Sequence, residues 1–394
     1  MSREPDDRPA APRAAPPGAP VPRTTQICEA RLHDGRSYTV QLVDDLLHAD
    51  GLFAALLGHR RALLVAPTDV WALYGDQVAA LRERLRLDLR VLTLDLDESR
   101  KDLETVAAIC ASCHEHELGR TGVLVAFGGG VCSDVVTVSA SLVRRGIACV
   151  RIPTTLIGQI DAGIGIKGGL NFDGAKSYLG TFKPPETVLI DPSFLRTAPA
   201  RSLSDGIAEA VKIALIDDAS LFELLEQHAP QLLRTCCSGD RQLVREILTR
   251  CVARMIEQLT PNFFEDRTLQ RRVDLGHTFS GLIEQRSGYC TSHGHAVAID
   301  MALSTAIGVA LGTTAAPLLQ RILCVLGAAG LPTDSPLLTV ELCETAIAAA
   351  CLHRGGSPNL VVPRAVGDCG FVTDRRVLTD AVLDAALRRL RASH

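Results

Sequence analysis

Two hydrophobic textures divide the chain. Up to about residue 195, short apolar and β-branched runs (ALLVA at 62–66, RVLTLD at 90–95, VLVAF at 123–127, ACVRI at 148–152, TVLI at 187–190) alternate with segments of helical period. Runs of that length flanked by turn residues read as strands, and strands alternating with helices predict a mainly parallel sheet covered on both faces. After Pro199 the period becomes helical in LSDGIAEAVKIALI, LFELLEQHAPQLLRTC and DRQLVREILTRCVARMIEQL, with few strand-like runs. The pattern predicts an α/β domain over residues 25–198 and a helical domain over 199–394. Residues 1–24, rich in Pro, Ala and Arg, have almost nothing to bury and are expected to be a disordered lead-in.

Composition narrows the function. With 394 residues, 47% of them hydrophobic, the chain has material for two cores. A formal charge of −4 and no basic block beside aromatics exclude nucleic acid as a partner. No apolar run reaches the roughly eighteen residues of a bilayer span, so no membrane association is expected. Thirteen cysteines, an odd number scattered through apolar segments, suit a reducing, cytoplasmic setting. Cys110 and Cys113 form a C-x-x-C, but it lies inside a helical pattern without a second pair, and we expect ordinary helix residues.

Three stretches carry candidate chemistry. GVLVAFGGGVCSD reads as a strand, a glycine turn, and a helix starting near Ser133 or Asp134. Such a turn lets a ligand approach the backbone and aims free amides at an anion such as pyrophosphate, yet it serves equally as a tight connection. DLDESRKDL offers Glu98 to ribose hydroxyls and Lys101 as a cation, or two solvated charges. PTTLIGQIDAGIGIKGGLNFDGAKSYLG is glycine-rich, which implies irregular backbone, but carries Asp161, Lys167, Asn171 and Lys176 among apolar residues. Buried charges persist when paired or bound to a ligand, and two lysines converging on a loop fit a phosphorylated small molecule.

Further on, Glu209 precedes Lys212 by one helical turn in an otherwise apolar helix. His277 is expected to open the helix HTFSGLIEQ, and His293 to open another after a turn. A carboxylate and two imidazoles on three helices are the ligand types of a catalytic zinc site with one open position. Spacing alone leaves them equally readable as caps or satisfied core histidines.

Taken in order over roughly residues 60–370, GGGVCSD, PTTLIGQIDAGIGIKGGLN, GAKSYLG, DGIAEAVK, DLGHTFS and HGHAVAIDMA resemble the sugar phosphate cyclases, the superfamily of 3-dehydroquinate synthase. The resemblance implies an α/β N-terminal Rossmann-like domain that binds NAD and an all-α C-terminal domain that binds a divalent metal, zinc or cobalt. It also implies a homodimer acting on a small-molecule sugar phosphate in the interdomain cleft. By position, Glu209, His277 and His293 match the metal ligands, and Asp161, Lys167, Lys176 and Lys212 match substrate and phosphate contacts. Arg145 matches an arginine that reaches the neighbouring subunit's site. Gly129, Gly130, Asp134, Thr154, Thr155 and Lys176 match the cofactor side, with Asp69, Glu98 and Lys101 towards adenosine. His295, where quinate enzymes usually have Glu, is left out of the ligand set.

Departures from the quinate enzymes bear on substrate. Those enzymes hold a substrate carboxylate with an Arg seven residues before the first metal histidine and a Lys upstream. Here the first is Gln270, and RMIEQLTPNFFE contains no lysine. Their Asn three residues before that histidine is Asp274, which repels an anion but accepts from sugar hydroxyls. These departures, with PNFFE and HRGGSPNLVVP, resemble the sedoheptulose 7-phosphate cyclases, above all the branch forming 2-epi-5-epi-valiolone. Branches forming 2-epi-valiolone or desmethyl-4-deoxygadusol are alternatives, 3-dehydroquinate synthesis a weaker one; Gly281 and Ser177 do not separate them. The implied reaction is oxidation, phosphate β-elimination, reduction, ring opening and intramolecular aldol closure.

Overall fold

The computed structural model describes residues 23–392. The expected lead-in therefore lies outside the described residues except for its last two, and Thr24 already begins a strand. The first unit contains β1 (Thr24–Arg31), β2 (Ser37–Val43), α1 (Asp50–Leu57), β3 (Ala62–Pro67), α2 (Thr68–Leu85), β4 (Leu89–Leu94) and α3 (Leu103–Glu115). It continues with β5 (Val123–Gly128), α4 (Gly130–Leu142), β6 (Ala148–Pro153), a separate hairpin of β7 (Lys167–Phe172) and β8 (Ala175–Phe182), and β9 (Thr187–Ile190). Seven strands form one sheet in the order β1-β2-β9-β6-β5-β3-β4, parallel except for the edge pair β1–β2.

Alternation along these strands sorts side chains between cores. Leu64 and Ala66 of β3, Val123, Val125 and Phe127 of β5, and Val150 and Ile152 of β6 face α1 and α2. Their neighbours Leu63, Val65, Leu124, Ala126 and Cys149 face α3 and α4. On that second face, Val40 and Leu42 of β2 and Val188 and Ile190 of β9 instead join the core of the helical unit. The two units are thus packed through one continuous apolar region, which fixes the cleft between them.

The second unit comprises α5 (Ala200–Asp217), α6 (Ala219–Arg234), α7 (Arg241–Leu259), α8 (Ser280–Arg286), α9 (His293–Ala310), α10 (Ala316–Ala328), α11 (Val340–His353), a short antiparallel hairpin of β10 (Leu360–Ala365) and β11 (Asp368–Val372), and α12 (Asp380–Ala392). α5 is buried without interruption from Leu203 to Ile216, so any polar group on it is enclosed by neighbours. Among the described residues no helix is long and apolar enough to cross a membrane. Cys110 and Cys113 sit within α3 as free thiols, and all thirteen cysteines are unpaired.

Candidate active site

Three side chains separated widely in sequence meet in the buried heart of the second unit. Glu209 lies in the middle of α5 and is fully buried. Its Oε1 is 3.3 Å from His293 Nε2 and 3.8 Å from His277 Nε2, and one ligand atom from each residue lies within 4.8 Å of the others. Two contacts enforce this. The start of α9 presses against the backbone of α5 at Gly294, where a Cβ would sit 2.3 Å from Asp205 Cα, so only glycine permits the approach. Asp205, one turn before Glu209, accepts from Ser292 Oγ at 2.6 Å and from the His295 amide at 3.2 Å, capping α9. His295 contributes its backbone there and stays out of the triad.

His277 does not open a helix. It occupies the turn before α8, which starts at Ser280, because the Asp300 carboxylate of α9 collects the amides of Thr278, Phe279 and Ser280. Arg354, buried after α11, braces the same turn through Thr278 Oγ1 at 3.2 Å and the His277 carbonyl at 3.4 Å. The set is therefore two helices and a turn rather than three helices.

The donor chemistry fits a divalent ion. His277 Nδ1 is 3.0 Å from the Leu275 carbonyl and His293 Nδ1 is 3.0 Å from Glu284 Oε1. Both partners only accept, so each Nδ1 carries a proton, and Nε2, the nitrogen turned towards Glu209, is the atom that would take the ion, with any proton on it released as the metal binds. Glu209 Oε1 is buried without a hydrogen-bond donor, an orphaned acceptor that a cation would satisfy. Tetrahedral ligands at about 2.1 Å from an ion stand about 3.4 Å apart, comparable to the spacing observed.

Lys212 and Asp161 complete the buried cluster. Lys212 Nζ pairs with Glu209 and is 2.7 Å from Asp161 Oδ2, which reaches across from the first unit. Burial pushes the Glu209 carboxyl up, but Lys212 and the two histidines outweigh it and hold it well below the usual range. Burial and then Lys212 push His277 down to about 4. Burial also opposes charge on His293, but Glu209 and Glu284 prevail and raise it to about 9. Glu284 is drawn down to about 2, since His293 and Lys176 overcome its burial.

The glycine-rich segment is more regular than its composition suggests. After a single π-turn over Gly158–Ala162 it forms the β7–β8 hairpin. Arg151, fully buried, ties the intervening loop down through the Gly165 carbonyl at 2.6 Å and the Gly163 carbonyl at 3.2 Å. Lys167 and Lys176 therefore do not converge on one loop. They sit towards opposite ends of the hairpin, since Lys167 pairs with Phe182 and Phe172 with Ala175 in the ladder. Each meets an acid of the second unit: Lys176 is 2.5 Å from Glu284 Oε2, and Lys167 contacts Glu265. Asp274 lies 3.3 Å from Arg271 and 3.6 Å from Arg354, in the turn leading to His277.

The glycine turn lies at a different landmark. Strand order reverses between β3 and β5, and the crevice at their C-terminal ends is where open α/β sheets bind dinucleotides. Pro67 ends β3 and Gly128 ends β5, so close together that a Cβ on Gly128 would sit 2.7 Å from Pro67 Cδ. α4 starts at Gly130, earlier than the Ser133 or Asp134 expected, because Gly129 itself serves as N-cap and its carbonyl accepts from the Ser133 amide. Asp69 opens α2 beside this crevice, and Thr154 and Thr155 follow β6, where the Thr154 amide donates to the Gly128 carbonyl.

Lys101 and Asp134 pair at 2.6 Å, and Asp134 and Glu98 keep the buried Lys101 charged against its desolvation. Glu98 Oε1 accepts from Asn171 at 2.9 Å, joining this side of the crevice to the hairpin. Arg145 is not brought to the cluster; it is exposed beyond the far end of α4.

Sequence reasoning missed Glu284, Asp300, Asp205, Arg354, Glu265 and Arg271. Glu284 and Asp300 had a signal: each is an acid beside apolar residues in a helical run, as Glu209 is. The others needed the fold.

The models for the 3-dehydroquinate synthase N-terminal and C-terminal regions match residues 91–205 and 206–350. The chain is 41% identical over 361 residues to the 2-epi-5-epi-valiolone synthase of Actinoplanes sp., covering 89% of each. It is 33% identical over 357 residues to the demethyl-4-deoxygadusol synthase of Trichormus variabilis, covering 87% of this chain and 86% of that one. The solved 2-epi-5-epi-valiolone synthase from Streptomyces hygroscopicus subsp. jinggangensis, with NAD+ and Zn2+ bound, superposes with a TM-score of 0.86 at 40% identity, covering 91% of this chain and 98% of that one.

Proposed function

The chain belongs to the 3-dehydroquinate synthase family of sugar phosphate cyclases, and from that premise we propose that it converts sedoheptulose 7-phosphate into 2-epi-5-epi-valiolone with release of phosphate. One observation carries the substrate assignment. Asp274, in the turn that delivers His277, is a carboxylate shared with Arg271 and Arg354, so its oxygens can accept from a neutral polyol while the cations beside it are already engaged and not offered to an acidic head group. The identity to valiolone synthases supports the same reading.

Glu209, His277 and His293 would hold a divalent ion, and Asp69, Gly129, Gly130, Thr154 and Thr155 would line the crevice for NAD. When bound, NAD supplies a hydride acceptor and donor, and the ion polarises the substrate oxygen it touches. The rest falls to the chain's own side chains. Lys212 is held protonated between Asp161 and Glu209, so its Nζ donates to substrate hydroxyls and steadies negative charge developing beside the triad. Lys167 is the cation for the phosphate and must exchange its present Glu265 partner for it, while Lys176, towards the other end of the hairpin beside Glu284, is the cation on the cofactor side. Asp274 accepts from hydroxyls at the other end of the sugar. Arg145, exposed beyond the end of α4, acts on the site of a second copy in a homodimer.

Gly281 is exposed and a Cβ there would meet nothing within 4 Å, so this position does not separate the sister cyclitol products. The test is incubation of the purified protein with sedoheptulose 7-phosphate, NAD+ and Zn2+ or Co2+, with phosphate assayed and the cyclitol identified by NMR. Phosphate release with 2-epi-5-epi-valiolone supports the proposal; another cyclitol redirects it to a sister cyclase. Turnover only of a heptulosonate 7-phosphate refutes it.

A further inference from the structure

Two cations meet on one carboxylate oxygen between the hairpin and the segment ahead of His277. Glu265 Oε1 takes the Lys167 ammonium, and the Arg271 guanidinium lies 2.5 Å from the same atom. Arg271 is also 3.3 Å from Asp274 Oδ1, so two acids share its charge. The Arg271, Glu265 and Asp274 side chains are 15%, 20% and 19% exposed, shielded enough for these charges to matter to a ligand. Glu265 holds φ at 56°, in the left-handed region that a β-carbon disfavours, and its carboxylate lies between Lys167 and Arg271.

We propose that Glu265 is a specificity-determining residue that masks Arg271, leaving a guanidinium, on the segment that leads to His277, that is not presented to a substrate carboxylate. The inference rests on the cyclase reading above and deepens it. Gln270 removes one cation from the site, but the next residue is an arginine, and an unmasked guanidinium is the strongest natural partner for a carboxylate. Glu265 and Asp274 occupy that guanidinium instead. A phosphate arriving at Lys167 can draw the ammonium away from Glu265, whereas Arg271 keeps both of its acids. The cleft thereby accepts the anionic tail of a ketose phosphate and refuses an anionic head.

The test uses the full chain loaded with Zn2+ and with NADH in place of NAD+, so that oxidation cannot begin. Calorimetric titration compares sedoheptulose 7-phosphate with a heptulosonate 7-phosphate, which carries a head-group carboxylate. Glu265→Gln is expected to shift the ratio of dissociation constants towards the heptulosonate by tenfold or more, and Glu265→Gln with Arg271→Gln to cancel the shift. An unchanged ratio, or a shift that survives loss of Arg271, overturns the proposal. If Glu265→Gln does not fold, Glu265→Asp draws the charge back by one methylene and must give a smaller shift in the same direction; no shift overturns the proposal equally. Failure of the cyclase reading shows separately, as no phosphate release by the unmodified enzyme with NAD+, because the binding ratio is read without turnover.

Discussion

Glu284 joins the metal ligand His293 to the hairpin lysine, and substituting it measures how far that link holds the site. Its side chain is 5% exposed, with one oxygen 3.0 Å from His293 Nδ1 and the other 2.5 Å from Lys176 Nζ. Glu284→Gln keeps the size and an acceptor oxygen for the imidazole but removes the charge. Losing the charge assistance of one such hydrogen bond costs about 1–1.5 kcal/mol, the difference between charged and neutral pairs. The loss of an outer partner of a metal-bound histidine typically weakens metal binding by about 10–100-fold, or about 1.4–2.8 kcal/mol. Both routes place Glu284→Gln near a tenfold loss of zinc affinity, and Glu284→Ala, which leaves Nδ1 without an acceptor, near 100-fold. Competition with a fluorescent zinc chelator reads the apparent affinity, and urea unfolding of the metal-free protein verifies that the fold survives. Zinc affinity within twofold of the unmodified protein in both folded variants would refute the orienting role of Glu284.

Other perturbations report on neighbouring parts of the design. Glu209→Ala should abolish stoichiometric metal binding and turnover while NAD affinity, measured by titration, is retained; unimpaired turnover would end the ligand assignment. Chelator treatment followed by Zn2+ or Co2+ should remove and restore phosphate release. Gly128→Ala must push Cβ against Pro67 and Cys132, at a cost of about 1–3 kcal/mol in urea unfolding and with weakened NAD binding; an unaltered protein would show that the two loops do not touch. Asp300→Ala leaves three amides at the His277 turn without their acceptor, and should destabilise the chain by about 3 kcal/mol or more while lowering metal affinity.

Hydrophobic period located β3, β4, β5, β6 and β9 to within a residue or so, because β3, β5, β6 and β9 are short apolar runs buried on both faces of a parallel sheet and β4, at its edge, keeps Val91 and Leu92 half-buried between exposed Arg90 and Thr93. It passed over β1, an exposed edge strand, and the β7–β8 hairpin, whose glycines hide a regular ladder. Residue types and their order, through family resemblance, were enough to nominate Glu209, His277 and His293. Their meeting was decided by non-local contacts: α9 lying on α5 at Gly294, Asp205 capping α9, and Asp300 gathering the amides ahead of α8. The Glu209–Lys212 pair could be read one turn apart in the sequence, but the pairings of Lys167 with Glu265, Lys176 with Glu284 and Lys212 with Asp161 could not, since each joins segments remote in sequence. Local pattern reports which face of an element avoids water. Which charges then face one another depends on how the elements stack, and that geometry exists only once the two units have closed on their shared core.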